Sequence, residues 1–121
     1  MNVLIIEDDK DIIKLYQKMA KPYFKHIYTA EQWDAIEKIL KLHEMDLILC
    51  DINLNQGLGS ELLIGLRHLV GRAKVYFISC SEHLGHHCEH AKAFGINVVG
   101  CDHKPVEVEE LNALFKSCAT T

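Results

Sequence analysis

Acidic residues close two of the short apolar segments of this chain. The segment nearest the amino terminus runs into Glu7, Asp8 and Asp9, and residues 46–50 run into Asp51. Each segment has the length and composition of a buried strand, so both acidic groups are expected at carboxyl ends of strands, where open α/β sheets bind ligands. Carboxylates crowded there repel one another unless a hard divalent cation lies among them, and Mg²⁺ or Mn²⁺ suits such oxygen donors. The sequence therefore predicts a metal site at one edge of a sheet.

Strand and helix patterns alternate five times along the chain. Apolar residues recur at helical spacing in segments 11–21, 30–43, 60–69, 82–94 and 106–117. Strands are predicted at residues 2–6, 26–29, 46–51, 75–79 and 96–100. Ser60 is a candidate N-cap for the third helix, and Gly71 and Gly95 are candidate helix stops. This alternation predicts parallel strands joined by right-handed crossovers, with helices on both faces of the sheet.

Composition favours one globular domain. With 121 residues, of which 49% are hydrophobic, the chain can bury one core and is too short for two ordinary domains. It ends directly after the fifth predicted helix, so we expect a single domain over residues 1–121 with no output domain.

Charge and cysteine content narrow the classes of function. A formal charge of −4 gives no basic surface for nucleic acid, and no apolar stretch is long enough to span a membrane or serve as a signal peptide. We therefore expect a cytoplasmic protein. The five cysteines include no C-x-x-C pair, which favours reduced and mostly buried thiols.

Chemically capable residues follow the predicted strands in a fixed order. They are Glu7-Asp8 after the first strand, Asp51 after the third, Ser79 at the end of the fourth and Lys104-Pro105 after the fifth. In this order the chain resembles, over essentially its whole length, the receiver domain of response regulators, the phosphoacceptor half of two-component signalling. The resemblance implies a flavodoxin-like, doubly wound (βα)5 fold of the α/β class, with a five-stranded parallel sheet in the order 2-1-3-4-5.

The resemblance assigns the phosphoryl chemistry to three side chains. Asp51 would be the carboxylate nucleophile that takes a phosphoryl group from phosphohistidine, and we expect it to be reachable from solvent. Lys104 would supply a mobile cation on the side opposite the metal. Ser79 would donate a hydroxyl hydrogen bond to the phosphorylated product and so draw its loop toward the new charge. A cis peptide bond is expected before Pro105.

The resemblance also assigns the metal ligands. Mg²⁺, or Mn²⁺, would be held by Asp8, Asp51 and the main-chain carbonyl of Asn53, with Glu7 acting through water. Asp9 occupies a third acidic position that is not a ligand in the family, and an acidic helix start is the better interpretation of it.

The predicted function is that of a single-domain response regulator. Its partners would be a sensor histidine kinase or histidine phosphotransfer protein and a downstream target protein, without nucleic acid or membrane; a homodimer is left open. It would catalyse only its own phosphorylation and dephosphorylation and is not expected to be an enzyme otherwise. Two alternatives stay open: a receiver-fold interaction module that phosphorylation does not control, and a small phosphatase with an aspartate nucleophile. Phosphatases of the haloacid-dehalogenase type place Asp two residues after the nucleophile, where this chain has Asn53.

Two features depart from or add to the family pattern. Cys101 stands where receivers usually carry the tyrosine or phenylalanine that turns inward on activation, so output is expected to use loop and helix movement. Four histidines, His83, His86, His87 and His90, recur at one-turn spacing on the predicted fourth helix. This pattern fits either a transition-metal site or an exposed helix that responds to pH.

Overall fold

The structure is a computed structural model that describes residues 1–119. In chain order its elements are β1 (Asn2–Ile6), α1 (Lys10–Ala20), β2 (His26–Ala30), α2 (Trp33–Leu42), β3 (Leu47–Cys50), β4 (Asn53–Leu54), β5 (Gly57–Leu58), α3 (Gly59–Gly65), α4 (Arg67–Val70), β6 (Lys74–Ser79), α5 (Leu84–Ala93), β7 (Val98–His103) and α6 (Val108–Ala119). Within residues 1–119, no helix combines the length and apolar character needed to cross a membrane.

Five parallel strands form the central sheet in the order β2-β1-β3-β6-β7. This is the predicted order 2-1-3-4-5 once the short β4 and β5 are set aside, so the flavodoxin-like fold is confirmed. β1 and β3 lie inside the sheet and are almost entirely buried, because helices cover both of their faces. That double burial explains why both strands read as continuous apolar runs.

Alternate residues of the central strands point into two separate cores. Leu4, Ile6, Ile48 and Cys50 pack on one face, and Val3, Ile5, Leu47 and Leu49 pack on the other. Helices α2, α3 and α5 cover the first face, through residues such as Ile36, Leu63 and Leu84. Helices α1 and α6 cover the second, through residues such as Tyr16, Ala20 and Phe115. The central strands are therefore packed on both faces, which defines where their ends place the side chains that follow.

The segment after β3 differs from the prediction. Residues 53–58 form a two-stranded antiparallel hairpin of β4 and β5, which was not predicted because its strands are only two residues long. The hairpin runs directly into α3, which begins at Gly59, so Ser60 is not the N-cap and its buried hydroxyl makes no hydrogen bond within the described residues. The single predicted helix is interrupted at Leu66, next to the poor helix former Gly65.

The last strand ends later than predicted. β7 extends to His103 and pairs along β6, with Phe77 opposite Cys101 and Ser79 opposite His103. Lys104 therefore follows directly after the strand, and the Lys104–Pro105 peptide bond is cis, as expected. Helix α6 begins only at Val108, so Pro105 precedes the helix and is not an early helical residue.

Gly59 is required by the close approach of α3 to the end of β3. A Cβ atom at this position would collide with the main-chain oxygen of Asp51 and lie 2.7 Å from Sγ of Cys50. We expect Gly59→Ala to lower the free energy of unfolding in urea by about 1–3 kcal/mol, the usual cost of overpacking a core. Gly65→Ala is the matched control, because nothing lies within 4 Å of its added methyl group. Equal stability of the two variants would contradict the proposed steric role of Gly59.

Candidate functional site

The carboxyl ends of β1 and β3 bring three carboxylates together. The main chain of Asp51 donates a hydrogen bond to the carbonyl of Ile6 at 2.9 Å, which fixes the two strand ends side by side. Glu7, Asp8 and Asp51 each offer a ligand oxygen, and these atoms lie within 4.8 Å of one another. We call this group the acidic pocket. Its all-oxygen donor set fits a hard divalent cation such as Mg²⁺.

Lys104 bridges two members of the acidic pocket. Its Nζ donates hydrogen bonds to Oε2 of Glu7 at 2.8 Å and to Oδ2 of Asp51 at 3.0 Å. Burial by itself lowers the pKa of Lys104, but the bonds to Glu7 and Asp51 outweigh it and raise the pKa above its ordinary value. The ammonium is therefore held charged between the two carboxylates. This direct contact with Glu7 was not anticipated from the sequence.

Glu7 is the most enclosed carboxylate of the pocket, with 2% of its surface exposed. Its second oxygen, Oε1, accepts hydrogen bonds from the main-chain N–H groups of Asp8 and Asp9 at 3.1 and 3.2 Å. Burial raises the pKa of Glu7 above its ordinary value, the bond from Lys104 opposes that shift, and the nearby charge of Asp51 adds to it. Lys104 thus opposes the protonation of Glu7 that burial favours.

Asp51 is more enclosed than expected, with 7% of its surface exposed. Oδ1 accepts a hydrogen bond from the main-chain N–H of Asn53 at 3.1 Å, and Oδ2 faces Lys104. The carboxylate is therefore oriented by one hydrogen bond on each oxygen. The expectation that Asp51 would be reachable from solvent is therefore wrong: its side chain is buried at the end of β3, with Lys104 bonded to one of its oxygens.

Ser79 lies at the end of β6, the strand next to β3, and is fully buried. Its main-chain oxygen accepts a hydrogen bond from the N–H of Lys104 at 3.1 Å, which ties the ends of β6 and β7 together. Its hydroxyl oxygen accepts from the N–H of Ser81 at 3.2 Å, and the hydroxyl oxygen of Ser81 accepts from the N–H of His83 at 3.1 Å. Ser79 and Lys104 are thus brought to the same sheet edge as the acidic pocket.

Asp9 and Asn53 were also considered for the metal site, and their side chains are not members of the acidic pocket. Asp9 is exposed and is the N-cap of α1, where its carboxylate accepts from the N–H groups of Asp11 and Ile12. The prediction that Asp9 serves as an acidic helix start is therefore confirmed. Asn53 contributes its N–H to Asp51, and the use of its carbonyl as a metal ligand stays a prediction.

Tyr16 is a neighbour of the site that sequence reasoning missed. It is buried on α1, and burial raises its pKa to about 12, while Lys104 opposes the shift and the charges of Glu7 and Asp51 add to it. The helical spacing of α1 marked Tyr16 as a core residue, which it is. The helical spacing of residues in α1 does not predict that Tyr16 lies near Lys104.

The five cysteines lie in several different parts of the fold. All five thiols are free, and Cys80 and Cys101 are exposed whereas the other three are buried. Cys101 lies on β7 within interaction distance of Cys88 on α5; burial and then the hydrogen bond with Cys101 raise the pKa of Cys88 to about 12. The position on β7 where receivers usually carry an aromatic ring is therefore occupied by the small side chain of Cys101.

Comparison with known proteins identifies the family of this chain. The model of the response regulator receiver domain matches residues 3–116. The sensory transduction protein LytR of Streptococcus mutans is 31% identical over 111 residues, which cover 88% of this chain and 43% of LytR. The chain therefore spans less than half the length of this relative.

Two solved structures share the fold. A two-component response regulator from Clostridium difficile superposes with a TM-score of 0.83 at 20% identity, covering 98% of this chain and 94% of the other. A response regulator from Burkholderia pseudomallei, solved with a phosphorylated aspartic acid, a calcium ion and citrate, gives a TM-score of 0.80 at 19% identity and covers 98% of this chain and 68% of the other. Because the family match extends over nearly all of the sequence, this chain belongs to the response regulator receiver domain family.

Proposed function

We propose that this chain is a single-domain response regulator that accepts a phosphoryl group on Asp51. The donor is the phosphohistidine of a sensor histidine kinase or of a histidine phosphotransfer protein. An oxygen of the Asp51 carboxylate attacks phosphorus, the phosphorus–nitrogen bond of the donor breaks, and the imidazole leaves with the electron pair. The acyl phosphate then changes the affinity of the chain for a downstream protein.

One observation carries the proposal: the Asp51 carboxylate lies within the acidic pocket with the Lys104 ammonium 3.0 Å away. A nucleophile that receives an anionic group needs positive charge beside it, and Lys104 is held charged at this place. Ser79 lies at the neighbouring strand end and can donate its hydroxyl hydrogen to a phosphoryl oxygen. The structure from Burkholderia pseudomallei that shares this fold contains a phosphorylated aspartic acid.

The acidic pocket would hold Mg²⁺, or Mn²⁺, through Asp8, Asp51 and the main-chain carbonyl of Asn53, with Glu7 acting through water. When bound, the ion would neutralise the charge of the phosphoryl oxygens. The residues of the chain supply the rest: Asp51 attacks, Lys104 balances charge, and the N–H of Asn53 orients the nucleophile.

Labelling with a small phosphodonor tests the function. The full chain should gain one phosphoryl group by intact-mass measurement when it is incubated with acetyl phosphate and Mg²⁺, and hydroxylamine should remove that group because acyl phosphates are labile to it. A label stable to hydroxylamine, or no label at all, contradicts phosphorylation of an aspartate. Steady turnover of free phosphomonoesters would instead favour the phosphatase alternative.

Binding of Mg²⁺ gives a separate prediction. Mg²⁺ added to the chelator-treated protein should raise Tm, because a ligand that binds only the folded state stabilises it by about 2.7 kcal/mol at a hundred times its Kd. Asp8→Asn should weaken this stabilisation by removing one charged ligand, as measured by differential scanning calorimetry. Asp9→Asn is the matched control, since Asp9 is exposed and asparagine caps helices equally well. An unchanged response of Asp8→Asn would remove Asp8 from the proposed ligands.

Partner capture separates a switch from an inert module. Beryllofluoride mimics the phosphorylated aspartate, so protein partners captured with and without it should differ. A downstream protein bound equally in both states would favour the interaction module that phosphorylation does not control.

A further inference from the structure

A second group of metal-ligand side chains lies on α5 and its neighbour α3, on elements that contribute nothing to the acidic pocket. It consists of His86, His87 and His90 from α5 and Glu61 from α3, and we call it the imidazole cluster. We propose that the imidazole cluster binds one divalent transition-metal ion of the Zn²⁺ and Ni²⁺ class, with Glu61, His87 and His90 as ligands and His86 beside them.

The three imidazoles share one side of α5. His86 and His90 are four residues apart and His87 and His90 three, spacings that place side chains one above the other on a helix. The rings of His86 and His90 lie 6.4 Å apart between centroids with planes only 17° from parallel. The rings of His86 and His87 lie 6.0 Å apart. His87 and His90, the proposed imidazole ligands, therefore both lie next to His86.

A carboxylate from another helix faces these imidazoles. Oε1 of Glu61 lies 4.0 Å from Nε2 of His90, and the charge of Glu61 also acts on His87. Helix α3 packs against α5, so Glu61 reaches the cluster from the opposite helix. Two imidazoles and one carboxylate form a ligand set that zinc sites in proteins use. An adventitious histidine pair on one helix would have no such third donor.

The imidazole cluster and the acidic pocket should select different ions. Imidazole nitrogen favours zinc, nickel and copper, whereas an all-carboxylate pocket favours Mg²⁺. Within residues 1–119, only the acidic pocket already brings three ligand atoms within 4.8 Å of one another. The imidazole cluster must therefore close around its ion, and it is free to do so because the side chains of His90 and Glu61 are 42% and 55% exposed. Closure would link α3 to α5.

Calorimetric titration of the full chain with Ni²⁺ tests the site, with excess Mg²⁺ present to fill the acidic pocket. We expect one Ni²⁺ per chain. The double variant His87→Gln, His90→Gln should bind at least about tenfold more weakly, since even the groups that only orient metal ligands affect affinity by that factor. Glu61→Gln should also bind more weakly. Far-UV circular dichroism verifies that each variant is folded, as expected for surface positions.

Two matched controls locate the ion. His68→Gln removes an exposed histidine of α4 outside the cluster, and Glu89→Gln removes a carboxylate of α5 that pairs with Lys92 instead. Both should bind Ni²⁺ like the unmodified chain. Unweakened binding by Glu61→Gln would overturn the proposal, because the ion would then be held by α5 alone. Retained binding by the double histidine variant, or an equal loss in His68→Gln, would overturn it as well, and neither outcome bears on phosphorylation of Asp51.

Discussion

Asp51→Asn is expected to abolish the incorporation of a phosphoryl group from acetyl phosphate. The amide is nearly isosteric with the carboxylate, and its oxygen can still accept from the N–H of Asn53, whereas its NH2 group cannot accept from Lys104. It has no anionic oxygen to attack phosphorus, and covalent transfer therefore loses its nucleophile. Intact-mass measurement after incubation with acetyl phosphate and Mg²⁺ gives the result directly.

Asp9→Asn is the control for this experiment. Asp9 lies only two residues from Glu7 in sequence, but it is exposed and caps α1, a role that asparagine also performs. Its labelling should equal that of the unmodified chain. Undiminished labelling of Asp51→Asn would show that another residue accepts the phosphoryl group.

Lys104→Met is expected to lower the free energy of unfolding by about 3–5 kcal/mol at neutral pH, the usual cost of removing one partner of a buried ion pair. The Lys104 side chain is 15% exposed, and those of Glu7 and Asp51 are 3% and 7% exposed. Methionine retains the length of the side chain but leaves two enclosed carboxylates facing each other. Urea unfolding with a chelator present measures the loss without interference from Mg²⁺.

The cost of Lys104→Met should depend on pH in a defined direction. The pKa of Lys104 is raised in the folded chain, so its stabilisation is complete below the ordinary lysine pKa of 10.5 and is lost only as the pH rises through the higher folded value. The pKa of Glu7 is also raised, chiefly by burial, and removing Lys104 raises it further. Protonation of Glu7 therefore stabilises the folded variant as the pH falls. The deficit of Lys104→Met should be smaller at about pH 5 than at about pH 8.

Lys14→Met controls for the loss of a lysine elsewhere. Lys14 is exposed on α1, and its replacement should change stability by less than about 0.5 kcal/mol. A deficit for Lys104→Met that stays constant between the two pH values would contradict the effect of Lys104 on the pKa of Glu7.

The central strands could be predicted from the sequence because a strand that is buried on both faces is a continuous run of apolar residues. β1 and β3 are continuous apolar runs, and the acidic residues that end them also end the strands. The edge strand β7 was placed too early, since it alternates exposed and partly buried residues and ends in the polar Asp102 and His103. The β4–β5 hairpin was missed because two-residue strands have no periodicity.

Sequence reasoning named the members of the candidate site but not the contacts among them. Strand ends fixed by the parallel sheet bring Glu7, Asp8 and Asp51 together, and this follows from topology. The hydrogen bond from Lys104 to Glu7 depends on the conformation of a long, flexible side chain. Residue spacing in the sequence does not predict that conformation. The burial of Asp51 was not predicted either, because the position of a residue at a strand end does not give the exposure of its side chain.

Two hydrogen bonds, one between Ser79 and Ser81 and one between Ser81 and His83, connect the Ser79 hydroxyl group to the start of α5. Each bond uses a serine oxygen as the acceptor for the N–H two residues farther along. If the Ser79 hydroxyl rotated toward a newly attached anion, the N–H of Ser81 would lose its acceptor unless Ser81 moved with it. A movement of Ser81 would in turn remove the acceptor of the His83 N–H unless His83 moved as well. A rotation of the Ser79 side chain at the end of β6 would thus disturb the hydrogen bonds at the start of α5, without an aromatic ring to transmit the change.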